Sequence, residues 1–269
     1  MKLTVILAAA LLALGPFAAK AQPPAGSTYV AMGSSFAAGP GVTTSADDPP
    51  NRCTRSNDNY AHQLARRHGL KLVDVSCSGA ATEHILGPWN ELKAQLDAVD
   101  ADTKLVTITI GGNDVRYTSG LGAEACQTSG GSSCPPPAAL PTGGEWTGLE
   151  QRLTRIAEEV RRRSPSTQLV FVDYTTVLPP EGTCAALSLT ADQAESSRRI
   201  NDRVVAITAK VAKATGSGLI AASALTAAHN ACSPAPWANG YPPAKGAAFH
   251  PRLEAHTAIA EALDKAIWR

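Results

Sequence analysis

The stretch KLVTITIGGND, Lys104–Asp114, decides the fold. From Leu105 to Ile110 every residue is apolar or β-branched, with no alternating polar face. A run of this kind reads as a strand covered on both sides, as strands of parallel sheets are. Gly111 and Gly112 then allow a sharp turn, and Asn113 and Asp114 stand where the chain leaves the sheet. Working outward, Thr28–Met32, Leu70–Val75 and Gln168–Tyr174 read as further strands, and Leu219–Ala222 as a weak last one. Helical patterns lie between them. Asn59–His68 and Glu91–Val99 are short. Leu149–Arg163 carries Leu149, Leu153, Ile156 and Val160 on one face. Thr190 opens a long helix to about Ala214 with the capping box TADQ, and Leu253–Ile267 closes the chain. Strands alternating with helices imply a parallel sheet with helices on both faces and right-handed crossovers. Two stretches rich in Gly, Ser, Pro or Ala, 119–148 and 233–248, read as long loops.

The N-terminus reads as a signal peptide over residues 1–21. Lys2 supplies the positive start, Leu3–Leu14 is apolar but too short to span a bilayer, and Ala19-Lys20-Ala21 fits small-residue cleavage. Residues 22–269 then form one domain of an exported protein, secreted to the periplasm or the extracellular space. The whole chain has 24 basic and 23 acidic residues. No basic stripe points to nucleic acid, no polybasic patch to anionic lipid, and no later segment to a membrane span. Arg161-Arg162-Arg163 sits at a helix end, where cations complement the helix dipole.

Six cysteines in an exported chain imply three disulfides. The connectivity is open from sequence. Pairing of neighbours, Cys53–Cys77, Cys126–Cys134 and Cys184–Cys232, is the simplest arrangement, since each bridge then closes one loop region. No Cys-x-x-Cys occurs, so a structural metal is not expected.

Ligands of open α/β sheets bind at the carboxyl ends of the strands. Three polar groups follow strands there: Gly33-Ser34-Ser35, Ser76–Ala80 and Gly111–Asp114. A fourth, FHPRLEAH, holds His250 and His256 at the start of the last helix. In these four blocks, in this order, the chain resembles the SGNH or GDSL hydrolases, above all their secreted bacterial lipase/esterase branch with three disulfides. GSSFAAG matches the nucleophile block with Ser35 in the nucleophile position, SCSGAAT supplies Gly79, GGND is matched outright, and AAFHP places His250 at the histidine position. The resemblance covers nearly the whole mature chain. It implies a single-domain three-layer α/β/α sandwich with a five-stranded parallel flavodoxin-like sheet. It also implies ester hydrolysis through an acyl-enzyme, with no metal or organic cofactor.

The chemistry asks for the same residues. Ester hydrolysis needs a hydroxyl relieved of its proton as it attacks, here Ser35 with His250 as base. The tetrahedral intermediate needs preorganised donors: the Asn113 side chain and the Gly79 and Ser35 backbone N–H groups. Two positions depart from the family pattern. Ser34 stands where the motif has an aspartate that braces the turn, and Ala247 stands where the triad acid belongs. The expectation is a Ser–His dyad in which the Ala247 main-chain carbonyl orients His250. Partners are a small-molecule or lipid ester, with the chain a monomer. The two missing carboxylates also leave open a non-catalytic carbohydrate- or lipid-binding protein on the same fold. A sugar O-deacetylase is a further reading. Ser34 as nucleophile breaks the family register. Ser35 as a helix cap, Asn113 as a turn residue and His250 as a helix-start residue are the purely structural alternatives. Trp237 either lines an acyl pocket or packs under its loop.

Overall fold

The structure, a computed structural model, describes residues 21–268. The proposed signal peptide therefore lies outside the described residues except for Ala21. The chain runs β1 (Thr28–Gly33), α1 (Ser35–Ala38), α2 (Tyr60–His68), β2 (Lys71–Asp74), α3 (Thr82–Leu86), β3 (Thr103–Thr109), α4 (Tyr117–Thr128) and α5 (Gly143–Arg163). It continues with β4 (Gln168–Val172), α6 (Ala191–Ala214), β5 (Gly218–Ile220), α7 (Ala222–Thr226) and α8 (Leu253–Trp268). The five strands form one sheet in the order β2-β1-β3-β4-β5, every pair parallel. This is the flavodoxin-like order, whose topological switch point falls between β1 and β3.

Side chains alternate across the strands and build two cores. Tyr29, Ala31, Leu105, Val170 and Val172 face α2 and α8, packing with Leu64, Ile259, Leu263 and Ile267. Val30, Met32, Val106, Ile108, Leu169 and Phe171 face the other way, against Leu149, Leu153 and Ile156 of α5 and Val204 and Val211 of α6. Each fully buried Val, Leu, Ile, Phe or Met among them contributes about 1.5–3 kcal/mol. The threonines of β3 face the first core yet are satisfied: Thr107 Oγ1 lies 2.7 Å from Tyr29 Oη and Thr109 Oγ1 3.0 Å from Tyr60 Oη.

Three sequence expectations change. Within Glu91–Val99 only Gln95–Ala98 is helical, as a 3₁₀ turn. The stretch 119–148 contains most of α4 and the start of α5 rather than one long loop. Gly120 and Gly122 obscure α4, whose buried Tyr117, Leu121 and Ala125 recur at helical spacing. Thr142 accepts from Glu145 N–H and the Glu145 carboxylate accepts from Thr142 N–H, a capping box that starts α5 inside the supposed loop. The last strand is Gly218–Ile220, and Ala222 already belongs to α7.

The cysteines are bridged as Cys53–Cys77, Cys126–Cys134 and Cys184–Cys232. The first ties the segment before α2 to the loop that follows β2 and carries Gly79. A bridge of this kind typically stabilises a fold by about 2–4 kcal/mol.

Candidate active site

Ser35 sits on a tight strand-to-helix turn. Gly33 ends β1 at φ +143°, and a Cβ there would lie 2.4 Å from the Thr109 carbonyl oxygen. Only glycine lets β1 and β3 approach so closely while the chain turns. Both polar groups of Gly33 are held by one amide: its N–H donates to Gln95 Oε1 at 2.8 Å and its C=O accepts from Gln95 Nε2 at 3.0 Å. Ser34 N–H donates to Thr109 C=O, and Ala37 and Ala38 N–H donate back to Ser34 C=O. The N–H of Ser35, the first residue of α1, has no acceptor in its own helix.

The last loop brings the histidine to this turn from 215 residues away: His250 Nε2 lies 2.7 Å from Ser35 Oγ. Nδ1 lies 2.6 Å from the Ala248 carbonyl oxygen, an acceptor only, so Nδ1 carries the proton and Nε2 presents its lone pair to the serine hydroxyl. The expected carbonyl of Ala247 is therefore replaced by that of Ala248. Phe249, fully buried at φ +57°, folds the chain back so that the nearer carbonyl meets the ring. The Ala247 oxygen instead accepts from Asn239 Nδ2 at 3.0 Å. Burial lowers the His250 pKa below the ordinary imidazole value, partly offset by the bond to Ala248. Phe36 packs on the imidazole, with ring centroids 5.0 Å apart.

Asn113 opens the turn after β3, and its Nδ2 donates one hydrogen to Ala80 C=O at 2.8 Å. The carboxamide thereby bridges to the Gly79 loop and keeps a second N–H. Gly79 has φ +87°, and a Cβ there would meet the Trp89 indole at 3.1 Å. Asp114 lies in the same 3₁₀ turn, and its carboxylate bonds to partners outside it. It accepts from Thr82 N–H at 3.0 Å, from Thr82 Oγ1 and from Arg152 Nη2, pinning the start of α3 to the Asn113 turn.

Sequence reasoning passed over Tyr174, just beyond β4. Its hydroxyl accepts from Gly112 N–H at 2.8 Å and lies 3.1 Å from Ser34 Oγ. No motif marks it, since an aromatic at a strand end ordinarily reads as core. Trp237 stacks on His229, in the 3₁₀ turn Ala227–His229 ahead of its loop, with ring centroids 3.7 Å apart. His256 is fully buried and accepts from Tyr60 N–H through Nδ1 at 3.3 Å.

A cavity of about 620 Å³ adjoins the Gly79 loop, lined among others by Val75, Cys77, Trp89, Leu92 and Gln95. A second, of about 330 Å³, lies where Pro40–Thr43 face Ala244–Gly246 and Pro251–Glu254. The stretch 119–148 lines neither. Among the described residues no helix is long and apolar enough to cross a membrane, and no cluster of three or more His, Cys, Asp or Glu side chains is placed to hold a metal.

The chain is similar in sequence and fold to known proteins. A model of the GDSL-like lipase/acylhydrolase family matches residues 31–258. A lipase of Streptomyces rimosus is 30% identical over 249 residues, covering 92% of this chain and 89% of that one. Lipase 2 of Streptomyces coelicolor is 32% identical over 231 residues, 80% of this chain and 76% of that one. The crystal structure of the extracellular lipase from Streptomyces rimosus superposes with a TM-score of 0.72 at 27% identity, covering 89% of this chain and 99% of that one. Phospholipase A1 from Streptomyces albidoflavus superposes with a TM-score of 0.74 at 23% identity, over 90% and 99% of the two chains, a likeness of fold alone.

Proposed function

The chain belongs to the GDSL-like lipase/acylhydrolase family and is a carboxylic ester hydrolase, and from that premise we propose that Ser35 and His250 are its catalytic residues, working as a dyad without a carboxylate. The 2.7 Å contact between Ser35 Oγ and the lone pair of His250 Nε2 carries this reading. Ser35 Oγ attacks the ester carbonyl carbon as its proton passes to His250 Nε2. The carbonyl oxygen becomes an oxyanion facing Ser35 N–H, Gly79 N–H and the second N–H of Asn113 Nδ2. Collapse breaks the bond to the alkoxy oxygen, which takes the proton back from His250 and leaves as the alcohol. Water then repeats the cycle on the acyl-enzyme: His250 accepts its proton and returns it to Ser35.

The Ala248 carbonyl does what an acid does for geometry, since it fixes the tautomer and the ring plane. It carries no full charge, so it stabilises the imidazolium less than a carboxylate does. A buried carboxylate is present at Asp173, but it accepts from Ser223 N–H and Oγ at the start of α7. The same reading takes residues 1–21 as an export signal and residues 22–269 as the enzyme domain, secreted and monomeric; three disulfides fit an oxidising compartment. Turnover of p-nitrophenyl butyrate tests the assignment. Ser35→Ala and His250→Ala should each abolish it while Ser34→Ala retains a measurable rate. Equal turnover by wild type and Ser35→Ala would contradict it.

A further inference from the structure

Glycine at position 112 is not required by its own backbone. Its φ of −63° and ψ of −35° are ordinary right-handed helical values open to any residue. What excludes a side chain is Tyr174. A Cβ on Gly112 would lie 2.6 Å from the Tyr174 Cε1 atom and 2.8 Å from its Cζ and Oη atoms. Gly112 and Tyr174 are thus a matched pair, the missing side chain making room for the ring.

The ring brings one hydroxyl to two loops. Tyr174 Oη accepts from Gly112 N–H at 2.8 Å, one residue before the oxyanion donor Asn113. It also meets Ser34 Oγ at 3.1 Å, one residue before the nucleophile. Its ring packs on Phe36 with centroids 4.5 Å apart, and Phe36 packs in turn on His250. The side chain is almost fully buried. Burial pushes the phenol up to about 12, so it stays protonated and can donate to Ser34 while accepting from Gly112.

We propose that Tyr174 is a positioning residue for ester hydrolysis, supplying through its hydroxyl the bracing that the family's aspartate gives from position 34. Ser34 Oγ and Gly112 N–H share no bond with each other; both meet Tyr174 Oη, which joins them. The bridge sets the spacing between Ser35 and Asn113, the two groups that must close on one carbonyl. This inference rests on Ser35 as nucleophile and Asn113 as oxyanion donor.

Tyr174→Phe keeps the ring and removes the bridge. We expect kcat for p-nitrophenyl butyrate to fall between about tenfold and a hundredfold with KM within about twofold, as for a misplaced reacting group. Placing Ser34→Asp in that background should recover at least about fivefold, the carboxylate occupying the space of the lost hydroxyl. The losses from Tyr174→Phe and Asn113→Ala should combine to less than their product, because both act on one oxyanion contact. A Tyr174→Phe enzyme with wild-type kcat, or losses that multiply fully with Asn113→Ala, overturns the proposal. If Tyr174→Phe does not fold, Ser34→Ala serves instead: a severalfold loss in kcat supports the bridge, and an unchanged kcat overturns it. Activity of Ser35→Ala separates the two failures: if it stays active, the reading of the whole site falls, and if it is dead, only the role of Tyr174 is at stake.

Discussion

Removing the Asn113 carboxamide should separate catalysis from stability. On the proposed roles, Asn113→Ala takes one of three donors from the oxyanion, a change that costs about 2.7–4 kcal/mol of transition-state stabilisation. At about 1.4 kcal/mol per tenfold, kcat should fall between a hundredfold and a thousandfold. The same side chain donates to the buried Ala80 carbonyl. Leaving that oxygen unpaired costs about 1–3 kcal/mol of folding free energy. The loop itself should hold, because Asp114 anchors it independently to Thr82 and Arg152. Steady-state turnover of p-nitrophenyl butyrate and urea unfolding, measured on the same preparations, give both numbers. KM should change little, since the ground-state carbonyl gains less from the donor than the oxyanion does. A kcat within about threefold of wild type would refute Asn113 as an oxyanion donor.

Other consequences follow from the same geometry. Gly33→Ala places a methyl 2.4 Å from the Thr109 carbonyl oxygen at a positive φ; it should cost more than about 3 kcal/mol in urea unfolding and abolish turnover, and an unfolding midpoint equal to wild type would contradict the close approach. His250 must be neutral to act as base, and burial holds its pKa below 6.5; the acid limb of kcat/KM should therefore lie below about pH 6.5, and an inflection above it would point to a carboxylate partner. Burial and the neighbouring His250 lower His256 to about 4, whereas the unfolded chain takes up that proton near 6.5. Its contribution is thus complete above about pH 6.5 and declines as pH falls towards 4, by up to about 3 kcal/mol. Asp173, raised by burial to about 6, works in the opposite sense, favouring the fold as pH falls. It is common to wild type and His256→Asn, so the variant should lose less stability than wild type between about pH 6.5 and 4, and parallel curves would contradict the assignment.

The sheet was readable because its signal is strong: Leu105–Ile110 is apolar or β-branched throughout, and GGND marks where it ends. Ser35 and His250 were placed by register with the family blocks, and the fold brings them within hydrogen-bonding distance. What escaped depends on tertiary context. The glycines of α4 hid its periodicity, although TGGE, Thr142–Glu145, carried the capping signal for α5. The one-residue shift from Ala247 to Ala248 turns on the left-handed backbone of Phe249, a conformation that a bulky aromatic gives no reason to expect. Tyr174 lies 140 residues from Ser34, so only the assembled sheet shows that they touch.

The central claim is that Ser35 is the acylated atom's owner and His250 its base. The most direct measurement is labelling with a fluorophosphonate followed by peptide mapping. One adduct per chain should form, on Ser35; it should vanish in Ser35→Ala and form far more slowly, at the same residue, in His250→Ala. An adduct on Ser34, or labelling at an undiminished rate without His250, would contradict the account.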